Sequence, residues 1–350
     1  MRKGLVGAVA GAVALGAGIG MAAERYAVGR TRLRPDPEAD EPFFRLPADR
    51  TRSVVADDGV ALHVEEVGPQ DAPLTVVLCH GYTQEMAVWH YQRRALSRDD
   101  SVRAVYWDQR SHGRSGRSAA ERATIDQLGA DLRAVLEATA PTGPVVLVGH
   151  SMGGMTVMAL ADARPDLFGD RVVGVALLAT STGNLAELTL GLPAALGGAA
   201  RRVLPWLTRG MVRRPSVFER GRRLGTDLAF LLAKHYAFGD DDVSPALVEF
   251  VEQMTARTRV DVIAEFYDTF TTHDKLRALD VLRDVAVLVL VGSKDLLTPL
   301  EHSEVMAAAL PSAELVVLEG AGHMVQLERA QEVTQHLRAL LRRAREAAAA

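Results

Sequence analysis

The chain has 350 residues, 48% of them apolar and 24% charged, which is ordinary for a globular protein and long enough for a large buried core. A net charge of -4 gives no basis for general polyanion binding, so nucleic acid is not an expected partner. A single cysteine, Cys79, excludes internal disulfides, and no Cys/His run has zinc-site spacing, so neither a metal nor a cofactor is expected.

At the N-terminus, Gly4 to Ala23 is an uncharged stretch of Ala and Gly with a few larger apolar residues. It is about as long as the ~20 residues that cross a bilayer's hydrocarbon layer, and longer than the roughly 7 to 15 apolar residues of a signal peptide. Residues 1–34 therefore read as a single membrane span with a basic flank. Cleavage near the small residues Gly20 and Ala22, giving a secreted protein, is the alternative. Arg2 and Lys3 precede the span while Arg25, Arg30, Arg32 and Arg34 follow it, so the positive-inside rule leaves its orientation open. Residues 35–50, with Pro35, Pro37, Pro42 and Pro47, read as an extended tether.

From Arg52 onward, short β-branched runs alternate with helical segments, the pattern of a mostly parallel sheet with helices on both faces. A hairpin is expected around Asp57-Asp58-Gly59. Buried strands are expected at Thr75–Cys79, Val102–Trp107, Val145–Val148, Val172–Ala179, Val285–Val291 and Glu314–Leu318, with a last helix over Val325–Arg343. Between Ala179 and Val285 roughly a hundred residues replace one crossover. Helix-period apolar positions there (Leu185, Leu188, Leu192; Leu224, Leu228, Leu231, Leu232; Phe250, Met254) predict an inserted helical cap over 183–270, dividing a core of 51–182 and 271–345. Such a cap would roof the carboxyl edge of the sheet, where open α/β folds bind ligands.

The strongest signal for chemistry is VVLVGHSMGGMTVMAL, in which an apolar strand runs through Gly149-His150-Ser151-Met152-Gly153 straight into a helical pattern. This is G-x-S-x-G in strand-turn-helix context. The turn is so tight that a side chain at either glycine would strike the neighbouring strand or helix. It lifts the Ser151 hydroxyl above the sheet and aims the N–H of Met152 at an anion formed on attack. The competing reading is a glycine-rich turn whose serine only caps a helix.

A serine needs a base, and the base needs an orienting acid. His323, on the glycine-flanked loop after the final strand, is the histidine placed to act as base, and Asp295, in GSKDLLTP after the preceding strand, is the acid. His80, His112 and His150 are expected to brace loops, while His235 and His273 in the cap region could line a pocket. Gly81, in HGYTQ after the first core strand, lets the backbone turn over the nucleophile. Tyr82 N–H is then the second oxyanion donor beside Met152, with Thr83 the less favoured choice. Cys79 reads as a small buried strand residue.

HGYTQ, DQRSHGRSG, GHSMGG, GSKDLLTP and GAGHMVQLE, in this order, resemble the α/β-hydrolase superfamily, in its branch of capped serine esterases and lipases, over about residues 50–342. The resemblance implies Ser151, Asp295 and His323 as catalytic triad, Tyr82 and Met152 as oxyanion donors, and a structural role for Asp108, Arg110 and His112. It implies hydrolysis of a small-molecule acyl ester. Thioester, lactone and C–C bond hydrolysis or cofactor-free perhydrolysis on the same triad are alternatives, and a silent binding protein is a rival of a different class.

Within the cap, Arg201, Arg202, Arg209, Arg213, Arg214, Arg220, Arg222 and Arg223 stand against one acid, Glu219, beside Leu204, Trp206, Leu207 and Met211. The plain reading is a solvated helical face. The sharper one is contact with an anionic membrane.

Overall fold

The computed structural model describes residues 28–29, 31, 33–185, 206–224 and 226–349. The apolar segment Gly4–Ala23 lies outside these residues, as do Arg25, Arg30, Arg32, Leu188, Leu192, Arg201, Arg202 and Leu204. Among the described residues, no helix is long and apolar enough to cross a membrane.

Eight strands form one sheet: β1 (Arg50–Val55), β2 (Ala61–Val67), β3 (Leu74–Cys79), β4 (Val102–Trp107), β5 (Val145–His150), β6 (Val172–Leu178), β7 (Ala286–Gly292) and β8 (Glu314–Leu318), in the order β1-β2-β4-β3-β5-β6-β7-β8. The hairpin β1/β2 and the pair β2/β4 are antiparallel, and every other pairing is parallel. Strands β3 to β6 are buried at every residue, as their unbroken apolar runs demand when helices cover both faces. Edge strand β8 instead alternates between half-buried and exposed positions before ending on buried Leu318. Strand β5 runs two residues past its expected end, because Gly149 and His150 still pair with Leu177 and Leu178.

The helices are α1 (His90–Leu96), α2 (Ile125–Thr139), α3 (Met152–Ala163), α4 (Pro215–Leu224), α5 (Thr226–Ala237), α6 (Pro245–Arg257), α7 (Val260–Thr272), α8 (Leu300–Ala309) and α9 (Ala330–Ala349). Leu132, Val135, Val157, Leu160 and Met306 of α2, α3 and α8 pack on one face of the sheet, and Leu96, Leu337, Leu340 and Leu341 of α1 and α9 on the other. The terminal helix differs from its expected span: a single turn, Val325–Glu328, comes first, and the non-helical backbone of Arg329 (φ -124°, ψ 47°) separates it from α9. Helices α4 to α7 belong to the insertion between β6 and β7. Its neck is closed by pairing of Gly183 with Asp274 and by Lys275 N–H donating to the Thr182 carbonyl at 2.7 Å, so the inserted chain rejoins the sheet a few residues beyond 270.

Residues 35–50 do not stand off as an extended tether. Phe43 stacks on Phe250 of α6 with ring centroids 4.3 Å apart, and the Arg257 guanidinium lies 3.7 Å from the Phe44 ring. On the core side, Glu41 meets His90 at 3.0 Å and Arg94 at 2.6 Å. The proline spacing suggested an extended chain, but two adjacent aromatics and a paired acid gave that chain surfaces to pack on, each aromatic pair being worth about 0.5–1.5 kcal/mol beyond area burial.

Candidate active site

Ser151 is the one residue between the end of β5 and the start of α3, at φ 52° and ψ -121°. A non-glycine residue held there costs on the order of 1–3 kcal/mol, so the surroundings must fix it. The Ser151 N–H donates to the Leu178 carbonyl at 2.9 Å, and Thr180 Oγ1 donates to the Ser151 carbonyl at 2.7 Å. A Cβ at Gly149 would sit 2.4 Å from the Gly153 oxygen, and one at Gly153 would sit 2.1 Å from the Cys79 oxygen, which is why both positions are glycine. The hydroxyl of Ser151 makes no capping bond to α3, contrary to the helix-cap reading of this turn.

Asp295 and His323 come together from the loops after β7 and β8. His323 Nδ1 lies 2.8 Å from Asp295 Oδ2. Asp295 Oδ1 accepts the N–H groups of Leu297 and Thr298 at 2.8 and 2.9 Å, while Oδ2 also accepts the Thr298 hydroxyl at 2.8 Å. A carboxylate can only accept, so His323 presents a proton to it on Nδ1. Burial alone would push the Asp295 carboxyl up; the charge and hydrogen bond of His323, together with the bonds from Thr298, outweigh it and hold the group below its ordinary range.

The loop after β3 is braced by a residue to which the sequence reading gave no role. Gln84, buried, accepts the Gly81 N–H through Oε1 at 3.0 Å and donates through Nε2 to Met324 Sδ at 3.2 Å. Flanked by Thr83 and Glu85, Gln84 carries no local signal in the sequence. Tyr82 points its ring toward the insertion: the hydroxyl donates to the Ile263 carbonyl and the ring packs edge-on to Phe270 at 4.9 Å. Met152 opens α3, where first-turn N–H groups have no intrahelical acceptor.

The three expected loop-bracing histidines are buried and hydrogen-bonded. His80 receives the Gln109 N–H at 2.9 Å, His112 meets the Arg110 carbonyl at 2.9 Å, and His150 Nε2 meets the His323 carbonyl at 2.9 Å. Burial pushes them down to about 4, about 3 and about 3, so all three are neutral near pH 7. Asp108 accepts the N–H groups of Met86 and Arg114, each at 2.8 Å, and Arg110 is locked between Asp131 and Asp58. Glu328, quoted in the sequence motif without a role, accepts N–H groups from Gly239, Asp240 and Gly322, tying the His323 loop to the insertion.

Ser151 and His323 open onto one cavity of about 310 Å³ beneath the insertion. Tyr82, Thr83 and Gln84 wall one side. Ala229, Leu232, Ala233 and Tyr236 of α5, Val251 and Thr255 of α6, and Leu297 and Met324 complete a mostly apolar lining, with Arg222 and Glu252 at its polar end. His235 borders a neighbouring cleft instead, and His273 bonds to the Ser181 carbonyl at 3.0 Å. Among the described residues no group of His, Cys, Asp and Glu side chains could hold a metal ion.

Comparison with known proteins places this geometry in a family. The model of the alpha/beta hydrolase fold matches residues 75–330. A dihydrolipoyllysine-residue acetyltransferase component of the acetoin cleaving system from Pseudomonas putida is 28% identical over 278 residues, 77% of this chain and 63% of that protein, so the chain spans less than two thirds of that relative. An sn-1-specific diacylglycerol lipase from Mus musculus is 27% identical over 271 residues, 75% of this chain and 79% of the relative. Among solved structures, a thermophilic esterase from Thermogutta terrifontis superposes with a TM-score of 0.64 at 24% identity, covering 84% of this chain and 99% of the esterase. An enol-lactonase from Burkholderia xenovorans gives 0.66 at 23% identity, covering 83% and 99%. With the family model spanning well over half of its length, the chain belongs to the α/β-hydrolase family.

Proposed function

We propose that this protein is a serine hydrolase that cleaves a carboxylic ester through an acyl-enzyme. Ser151 Oγ attacks the ester carbonyl carbon while His323 Nε2 takes its proton; the carbonyl oxygen becomes an anion facing the N–H groups of Met152 and Tyr82. As the intermediate collapses, His323 returns the proton to the departing alcohol, and a water then repeats the cycle on the acyl-enzyme. Asp295 holds the imidazole in the tautomer that accepts from Ser151 and stabilises the imidazolium. The observation that carries this reading is a strained Ser151, with no helix-capping bond, sharing an apolar cavity with a histidine whose Nδ1 lies 2.8 Å from a carboxylate.

Membrane association belongs to the same reading. Gly4–Ala23 has the length of a span, and the insertion carries exposed arginines. Ester is preferred over thioester or C–C substrates because the names of the similar proteins include esterase and lipase activities, and an enol-lactonase beside them keeps a cyclic ester as the second reading. The test is a fluorophosphonate probe with p-nitrophenyl butyrate kinetics on wild type, Ser151→Ala and His323→Ala. Wild type should label and turn over. Each variant should lose turnover by up to about a millionfold, with no further loss in the double variant. Either variant keeping more than about a tenth of wild-type turnover refutes the assignment.

A further inference from the structure

The helical residues 206–213 and helix α4 carry an unusual surface. Trp206 is 74% exposed, Leu207 40%, Val212 44% and Val217 58%, so four large apolar side chains stand in solvent within twelve residues. Interleaved with them, Arg209, Arg213, Arg214 and Arg220 are exposed, and the Arg209 guanidinium lies 5.9 Å from the Trp206 ring centroid. The one acid of the stretch, Glu219, is used internally: it pairs with Arg222 at 2.7 Å and accepts the Val260 N–H at 3.1 Å. Arg222 is also committed, donating to the carbonyls of Thr255, Ala256 and Thr258 at the end of α6. Of the five arginines whose side chains are described, Arg222 is thus a structural cap and the other four are exposed, while the acid of the stretch is turned inward.

The helix that carries part of this surface also contributes a residue to the cavity wall. Arg222, which lines the cavity, is five residues from exposed Val217, about 7.5 Å along a helix. Leu232 of α5 both lines the cavity and is 47% exposed. Apolar side chains mixed with arginines on a surface helix match the boundary of a bilayer, where rings and aliphatic groups enter the acyl region and cations meet anionic headgroups. A purely polyanionic partner would leave Trp206, Leu207, Val212 and Val217 in water, and a second copy of the chain would set the arginines against each other.

We propose that residues 206–220 seat the cavity mouth on an anionic lipid bilayer, and that the substrate is an ester dissolved in that bilayer whose acyl chain passes Leu232 to reach Ser151. The substrate clause rests on the serine-hydrolase reading; the surface does not. A cavity of about 310 Å³ is at the small end of ligand pockets, with room for one acyl chain rather than a diacyl lipid.

Trp206 supplies the readout, because the other two tryptophans, Trp89 and Trp107, are fully buried. The full chain is reconstituted into phosphatidylcholine vesicles with and without about a quarter phosphatidylglycerol, carrying brominated acyl chains. With the anionic lipid at low salt, tryptophan emission should shift to the blue and be quenched by bromine, and Trp206→Phe should abolish both changes. Neutral vesicles, about 0.5 M salt, or the combined R209Q, R213Q, R214Q and R220Q substitutions should weaken the signal at least about fivefold. The same four substitutions should slow a bilayer-dissolved long-chain ester at least about fivefold and leave p-nitrophenyl butyrate unchanged. If Trp206 stays open to aqueous acrylamide in all vesicles, or becomes shielded without lipid as protein concentration rises, the proposal is overturned. If wild type fails on p-nitrophenyl butyrate, the ester reading falls while the Trp206 signal still decides the surface.

Discussion

The ring of His150 holds the backbone of His323: Nε2 lies 2.9 Å from the His323 carbonyl, and the two imidazole centroids are 4.8 Å apart. The residue beside Ser151 in the sequence thereby positions His323, 173 residues further on, since a carbonyl can only accept and His150 Nε2 must donate. His150→Leu should fold but let the His323 loop drift. A displacement near 1 Å costs up to about a hundredfold in turnover, so kcat should fall at least about tenfold with KM little changed. Because burial keeps His150 neutral, at about 3, the pH–rate profile above pH 5 should drop in height without changing shape. A shifted limb in that profile would refute the positioning role.

Asp295 offers a test of tautomer rather than charge alone. In Asp295→Asn, the amide oxygen can still accept the N–H groups of Leu297 and Thr298, which puts an NH₂ opposite His323 Nδ1 and forces the proton onto Nε2. Turnover should fall by about four orders of magnitude while the melting temperature changes little. Thr298→Val keeps the His323 contact but removes the hydroxyl bond to Oδ2, and should cost about 1.5–3 kcal/mol of stability in denaturant titrations. If kinetics and melts reverse this pattern, the acid lies elsewhere.

Gly153→Ala should be among the most damaging single-methyl changes in the chain. Its Cβ would meet the Cys79 backbone oxygen at 2.1 Å, and its nearest neighbours are all backbone atoms of Cys79 and His80, which leaves no flexible side chain to give way. Overpacking of this kind costs typically 1–3 kcal/mol or more. Thermal melts should show the loss together with reduced fluorophosphonate labelling, since the same shift moves Ser151. A variant with wild-type stability and labelling would mean that the turn relaxes more freely than this geometry allows.

Acid stability should depend on Glu65. Burial pushes its carboxyl up, yet bonds from His63, Arg93 and Arg114 outweigh this and hold it at about 2 against an ordinary 4.5. A carboxyl lowered in the folded state stabilises fully above its unfolded value and loses that contribution as pH falls from about 4.5 toward 2. Glu65→Gln, which strands the Arg93 guanidinium 2.6 Å from a neutral amide, should lower the melting temperature at pH 7. The gap from wild type should close as pH drops below 4.5. A gap that stays constant with pH would show that the ion pair contributes nothing through its charge.

What the sequence by itself determined was whatever depends on local pattern. Continuous apolar runs marked the buried strands because a sheet covered on both faces admits no polar alternation, and β4 and β8 have the limits that their runs implied. The spacing of Gly149, Ser151 and Gly153 was legible as a five-residue pattern, and steric exclusion at Gly149 arises within that turn, whereas at Gly153 it comes from the Cys79 backbone of β3. Other features depend on which surfaces meet across the chain, and only the tertiary structure decided them. Phe43 and Phe44 turned an expected tether into a packed segment because Phe250 and Arg257, some two hundred residues away, came beside them. Eight arginines looked alike in one dimension, but Arg222 found three carbonyls at the end of α6 while Arg209, Arg213, Arg214 and Arg220 found water. Gln84 and Glu328 carried no pattern of their own. Their roles arise from segments distant in sequence converging at the sheet's carboxyl edge, where Gln84 links the Gly81 backbone to the Met324 side chain and Glu328 accepts backbone N–H groups from two such segments.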